Sequence, residues 1–121
     1  MKLVVIESPY AGNIEENVRY ARACMLDCLS RNEAPFASHL LYTQPGVLHD
    51  EIPVQRALGI NAGLAWRRVA DLTAFYVDYG WSHGMREALK LLQSEKRPYE
   101  VRRLSNGGDD AVLGVAERGA A

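Results

Sequence analysis

The sequence predicts a small α/β domain: a doubly wound parallel sheet of about four strands, order 2-1-3-4, with three main helices. Two observations carry this. Leu3-Val4-Val5-Ile6 and Leu72-Thr73-Ala74-Phe75-Tyr76-Val77 are short apolar and β-branched runs, as expected of parallel strands covered on both faces. Between such runs, apolar residues recur at helical spacing. Right-handed crossovers then give a βαβαβαβ chain of the Rossmann or flavodoxin type, in which strands one and three are neighbours.

The elements follow in order. After the first strand, Glu7-Ser8-Pro9-Tyr10-Ala11-Gly12 is rich in turn formers, and Asn13-Ile14-Glu15-Glu16 has the form of a capping box. Ile14, Val18, Ala21, Met25 and Leu29 mark one face of a first helix reaching about Arg31. Ala34–Ser38 is a short second strand, and His39–Gly46 opens a long irregular loop, of the size that more often binds ligand than merely connects. Pro53 suits the first turn of a second helix, with Ala57, Leu58, Leu64, Ala65 and Val69 expected on its buried side. Arg56, Arg67 and Arg68 are left for solvent or ligand. Gly59 and Gly63 weaken this helix but permit close packing. A third helix starts near Ser82 or His83 and carries Met85, Ala88, Leu89 and Leu92 on one face to about Glu95. Pro98–Leu104 is a final strand of edge character. The predicted domain is 1–104, with 105–121 a flexible tail.

Bulk properties narrow the function. With 121 residues, 48% of them hydrophobic, the chain can form one domain with a modest core. A net charge of −1 gives no general attraction to a nucleic-acid polymer or an acidic membrane. No apolar run is long enough to span a bilayer. Glu7 and Pro9 interrupt the opening run before any cleavage-like site, so it reads as a strand and not a leader. Cys24 and Cys28 sit four apart on one helical face, a spacing that suits buried apolar packing in a reducing cytoplasm better than a disulfide.

The richest stretch is Asp78-Tyr79-Gly80-Trp81-Ser82-His83-Gly84-Met85-Arg86-Glu87. It places a carboxylate at the carboxyl end of a strand, glycines beyond it, and Ser82 as the cap of a helix whose free N–H groups favour an anion. The loop after the first strand is a second anion site of the same kind, with Ser8, Tyr10, Gly12 and Asn13 available to ligand. It lacks the endings of a Walker A loop or a dinucleotide fingerprint, so no nucleotide cofactor is expected. Strand order 2-1-3-4 brings the two loops to one crevice. Tyr10 and Trp81 offer rings to stack on a base, and His39 a donor or acceptor.

These pieces resemble the nucleoside 2-deoxyribosyltransferase-like superfamily, including deoxynucleoside monophosphate N-glycosidases and small phage and bacterial proteins. Val5-Ile6-Glu7-Ser8-Pro9-Tyr10-Ala11-Gly12-Asn13 is similar to its first strand and nucleotide loop, and Pro35–Tyr42 to the segment after its first helix. Ala70–Asp78 resembles a strand ending in an acidic residue near substrate. Ser82-His83-Gly84 resembles its Ser-x-Gly turn, and Lys96-Arg97-Pro98 its Gly-Lys-Pro. The likeness covers about residues 2–104. It implies cleavage or transfer at an N-glycosidic bond of a nucleoside or nucleoside 5′-monophosphate, and a homo-oligomer.

In that family a helix glutamate attacks the sugar and an acidic neighbour helps the base depart. The resemblance puts the nucleophile four residues past the glycine, where this chain has Ala88; Glu87 stands one earlier, a rotation of about 100° away. Three readings follow. Glu87, or Glu7, serves as nucleophile with Asp78 as the acid or base-orienting group. Alternatively the pocket persists as a non-catalytic nucleotide-binding or nucleotide-sensing module. A metal site from His39, His49, Asp50 and His83 is the third, and no ligand spacing supports it.

Overall fold

The computed structural model describes residues 1–105. Four strands, β1 (Lys2–Glu7), β2 (Glu33–Phe36), β3 (Leu72–Tyr76) and β4 (Tyr99–Arg102), form one sheet in the order β2-β1-β3-β4 with every pairing parallel. The helices are α1 (Ile14–Ser30), α2 (Ser38–Leu41), α3 (Pro53–Val69) and α4 (His83–Ser94). The expected order and alternation are present. The predicted tail lies, from residue 106 on, outside the described residues. No helix among them is long and apolar enough to cross a membrane.

Strand alternation sorts the core into two faces. On one, Val4, Ile6, Ala74 and Tyr76 pack against Tyr20, Cys24 and Cys28 of α1, one turn apart along the helix. On the other, Phe75, Val77 and Val101 pack against Met85, Ala88 and Leu92 of α4. Both cysteines are free and fully buried. The α1 face is closed over β4 by polar groups. Arg102 is bidentate to Glu33 (2.8 Å twice), reaches Glu100 at 2.7 Å, and donates to the Tyr76 hydroxyl at 3.2 Å. Tyr76 in turn donates to Asp27 at 2.6 Å. A buried charge tolerates this position because its partners surround it.

The helix caps form as their residues dictate. Asn13 accepts from the Glu16 amide at 3.2 Å and Ser82 from the Met85 amide at 3.2 Å. Glu16 does not complete a capping box; its carboxylate takes the Tyr79 hydroxyl at 2.9 Å instead.

Two expectations need correction. His39 belongs to a single helical turn, α2, where an irregular loop was predicted, and the second strand stops at Phe36 instead of Ser38. The second correction concerns α3. Only Gly63 of its 17 residues is buried, while Ala57, Leu58, Ala65 and Val69 are exposed. The inward side is built from small and polar residues: a Cβ on Gly63 would stand 3.7 Å from the Ser38 side chain, and one on Gly59 3.3 Å from Leu48. These glycines let α3 approach α2 and its following loop.

Candidate functional site

A cavity of about 510 Å³ opens between α3 and α4, with the end of β1 and the short α2 forming its inner wall. Its position at the carboxyl ends of β1 and β3, the point where strand order reverses, is where open α/β sheets bind ligands. Both predicted loops contribute: Glu7, Ser8, Tyr10 and Ala11 after β1, and Ser82, His83 and Gly84 at the start of α4.

Glu7 is the last residue of β1. It shares a face with Val5, and its register partner on β3 is Phe75, so alternation turns it toward the α4 side, where the cavity lies. Arg67 of α3 reaches back to it, Nε donating to Oε2 at 3.1 Å, with both side chains only 11% exposed. Burial lifts the Glu7 carboxyl above the usual glutamate range, while the Arg67 charge and hydrogen bond pull the other way. Sequence reading left Arg67 to solvent or ligand. Its signal was the spacing Gly63–Arg67, which places an arginine one turn beyond a small residue on the same helix face.

Beside Glu7, the buried Ser8 Oγ lies 3.3 Å from Nε2 of His39, whose ring faces Tyr10 with centroids 5.5 Å apart. Burial holds the imidazole below its ordinary range, so it is neutral at neutral pH. Ser38, Tyr42, Asp50, Gln55 and Arg56 extend the polar lining. The wall from α4 presents Ala88, buried in the core, and Glu87 at the rim, half exposed. Glu87 stands 3.5 Å from Lys90 and 4.0 Å from Nε2 of His83.

The predicted site residues therefore divide. Ser8, Tyr10, His39, Ser82, Gly84 and Glu87 line the cavity together. Asp78, Gly12, Asn13 and Trp81 do not line it. Asp78 lies on the α1 side, where Oδ1 accepts the Tyr20 hydroxyl at 2.6 Å and the Leu104 amide at 2.9 Å, and Oδ2 the Ser105 amide at 3.0 Å. Partial burial pushes its pKa up, but these donors outweigh it and hold the carboxyl below the usual range. Trp81 tilts against Phe75 in the α4 core, 5.0 Å between centroids. Gly12 supplies a φ of +96°, and Asn13 is the α1 cap. Among the described residues, no group of three or more His, Cys, Asp or Glu is placed to hold a metal.

The fold is shared with a known enzyme. The solved structure of a 2-deoxyribosyltransferase from the psychrotolerant bacterium Bacillus psychrosaccharolyticus superposes with a TM-score of 0.65 at 14% identity. The match covers 84% of this chain and 72% of that one. At that identity the likeness is one of fold. A search of curated protein sequences finds no match. The model of one family, a domain of unknown function designated DUF7768, matches residues 2–102, nearly the whole described chain, and the protein belongs to that family.

Proposed function

We propose that the cavity binds a nucleoside or nucleoside 5′-monophosphate and breaks its N-glycosidic bond, with Glu7 as the attacking carboxylate. The observation that carries this reading is the buried Glu7–Arg67 pair on the inner wall of a ligand-sized cavity at the strand switch point. Cleaving this bond needs a carboxylate poorly solvated enough to be nucleophilic, with a nearby cation to keep a fraction ionised. Glu7 attacks the anomeric carbon, the carbon–nitrogen bond breaks with its electron pair on the base, and the base takes a proton from solvent. A glycosyl ester on Glu7 is left for an acceptor to displace. Tyr10, Tyr42 and the α4 N-terminus with Ser82 are the groups offered to a base and a phosphate.

Glu87 is the competing carboxylate, and its exposed place at the rim suits substrate contact better than attack. A second reading has its own observation. The buried Ala88 stands where the resemblance expects a glutamate, which favours a module that holds a nucleotide intact. Turnover separates the two: free base appears in the first case, and saturable binding without consumption in the second. Assembly into homo-oligomers and a reducing cytoplasmic setting, suited to two free cysteines, belong to the same proposal.

A further inference from the structure

The pairing with Glu7 uses only part of Arg67. Nε donates to Glu7 Oε2 at 3.1 Å, while Nη1 and Nη2 make no hydrogen bond among the described residues. The side chain lines the cavity and is only 11% exposed. Donors so far from bulk water call for an acceptor, and the cavity is where a ligand can bring one. Gly63, one turn earlier on α3, keeps this end of the guanidinium uncovered. A Cβ there would stand 3.9 Å from Nη2 and 3.8 Å from Oγ of Ser38, which lines the same cavity.

Stereochemistry identifies the part of the substrate that these donors meet. The base of a nucleoside sits on the β face of its sugar, so a carboxylate that displaces it attacks from the α face. In ribose the 2′- and 3′-oxygens lie on that same α face, cis to one another. The 2′-oxygen sits on the carbon next to the one attacked. A guanidinium hydrogen-bonded to the attacking carboxylate is therefore beside those oxygens, with a planar fork of donors to offer them. A 2′-deoxy sugar supplies no oxygen at the nearer position and leaves the donor unpaired.

We infer that Arg67 reads the 2′-hydroxyl, so that the site selects ribosides over 2′-deoxyribosides. This rests on the proposed reading of Glu7, whose attack is what sets Arg67 against the α face. The bonds made and broken are those of that attack. Arg67 adds a hydrogen bond to the 2′-oxygen that holds the anomeric carbon against the carboxylate.

The test uses the full chain and matched sugars: adenosine with 2′-deoxyadenosine and uridine with 2′-deoxyuridine, as nucleosides and as 5′-monophosphates. Free base gives kcat/KM for each. The riboside-to-deoxyriboside ratio should fall roughly 10²-fold from wild type to Arg67→Met. Arg67→Lys, which keeps a cation but loses the fork, should give an intermediate ratio. Thermal melts should show both variants folded. A change in Glu7 ionisation acts on both sugars and cancels in the ratio; the intrinsic lability of each sugar is the same in every variant. An unchanged ratio in a folded variant overturns the inference, as does wild-type activity confined to 2′-deoxyribosides. A loss seen only with monophosphates, equal for both sugars, assigns Arg67 to the phosphate and overturns it too. In each of these cases base release leaves the Glu7 reading standing. Should the wild-type chain release no base from any substrate, the reading of Glu7 falls and this inference falls with it.

Discussion

Oε2 of Glu7 and Nε of Arg67 meet 3.1 Å apart, joining the end of the first strand to the third helix across the inner wall of the cavity. Burial and the guanidinium act in opposite senses on this carboxyl, and burial prevails. The folded protein therefore binds the Glu7 proton more tightly than the unfolded chain does. Its contribution to stability is fully present below the unfolded value, about 4.3, and is lost as pH rises through the higher folded value. Glu7→Gln, which mimics the protonated group, should melt higher than wild type at pH 7. That gap should close as pH falls below 4, in paired thermal melts.

Removing the other partner has the opposite sign. Arg67→Met leaves a carboxylate on the cavity wall without its cation and should cost about 1–3 kcal/mol, less than a fully enclosed pair because both groups retain slight exposure. Glu7 should then ionise at still higher pH. The pH at which base release reaches half its maximum is the measurement, and it should move upward in Arg67→Met.

Asp78 and Glu87 should respond differently from Glu7. Asp78→Asn loses a charged anchor for Tyr20 and the backbone of Leu104 and Ser105, and should cost about 1–2 kcal/mol, a discounted figure because the carboxylate is partly in solvent. Because its folded pKa is depressed, that stabilisation is present above about 3.9 and lost as pH falls through the folded value. Urea melts at pH 7 and at pH 2.5 should show the difference between wild type and Asp78→Asn shrinking in acid. Glu87→Gln, at the rim, should lower kcat/KM by less than about tenfold, about 1.4 kcal/mol.

The buried ion cluster makes a stability prediction of its own. Arg102→Leu leaves the Glu33 carboxylate in the interior without the bidentate cation that holds it and should cost roughly 3–5 kcal/mol in a denaturant melt. Cys28 lies in the same cluster, and burial pushes its thiol up to about 11. Native protein should therefore react with a thiol reagent at pH 8 only as fast as it unfolds.

The long apolar face of α3 bears on assembly. Val54, Leu58 and Val69 are 72, 58 and 65% exposed and lie along one side of the helix. The homo-oligomer proposed above would use this row as its contact surface. Leu58→Glu should lower the mass measured by light scattering, and an unchanged mass would remove α3 as the assembly face.

Much of the fold was legible because its signals are local. Short apolar runs gave β1 and β3, Ser82 and Asn13 gave two helix starts, and Pro53 a third. The site was harder for a reason of parity. Glu7 and Asp78 are both carboxylates at strand ends, and nothing local says which faces the cavity. Alternation does. Asp78 is two residues beyond Tyr76, which faces α1, and so it meets Tyr20 of α1. Glu7 shares its side with Val5 and pairs in register with Phe75 of the α4 face. The inward turn of Arg67 was hidden for another reason. The helix that carries it buries a glycine and turns a largely covered cation inward where its apolar residues suggested an ordinary core stripe.

The central claim is that Glu7 attacks a nucleoside. Its most direct test incubates wild type and Glu7→Gln with a panel of ribo- and deoxynucleosides and their 5′-monophosphates, following free base by chromatography. The account predicts base release from at least one member by wild type and a loss of about 10³-fold or more in Glu7→Gln, on the scale of losing a covalent nucleophile. Intact substrates with measurable binding, or full activity in Glu7→Gln, would contradict it.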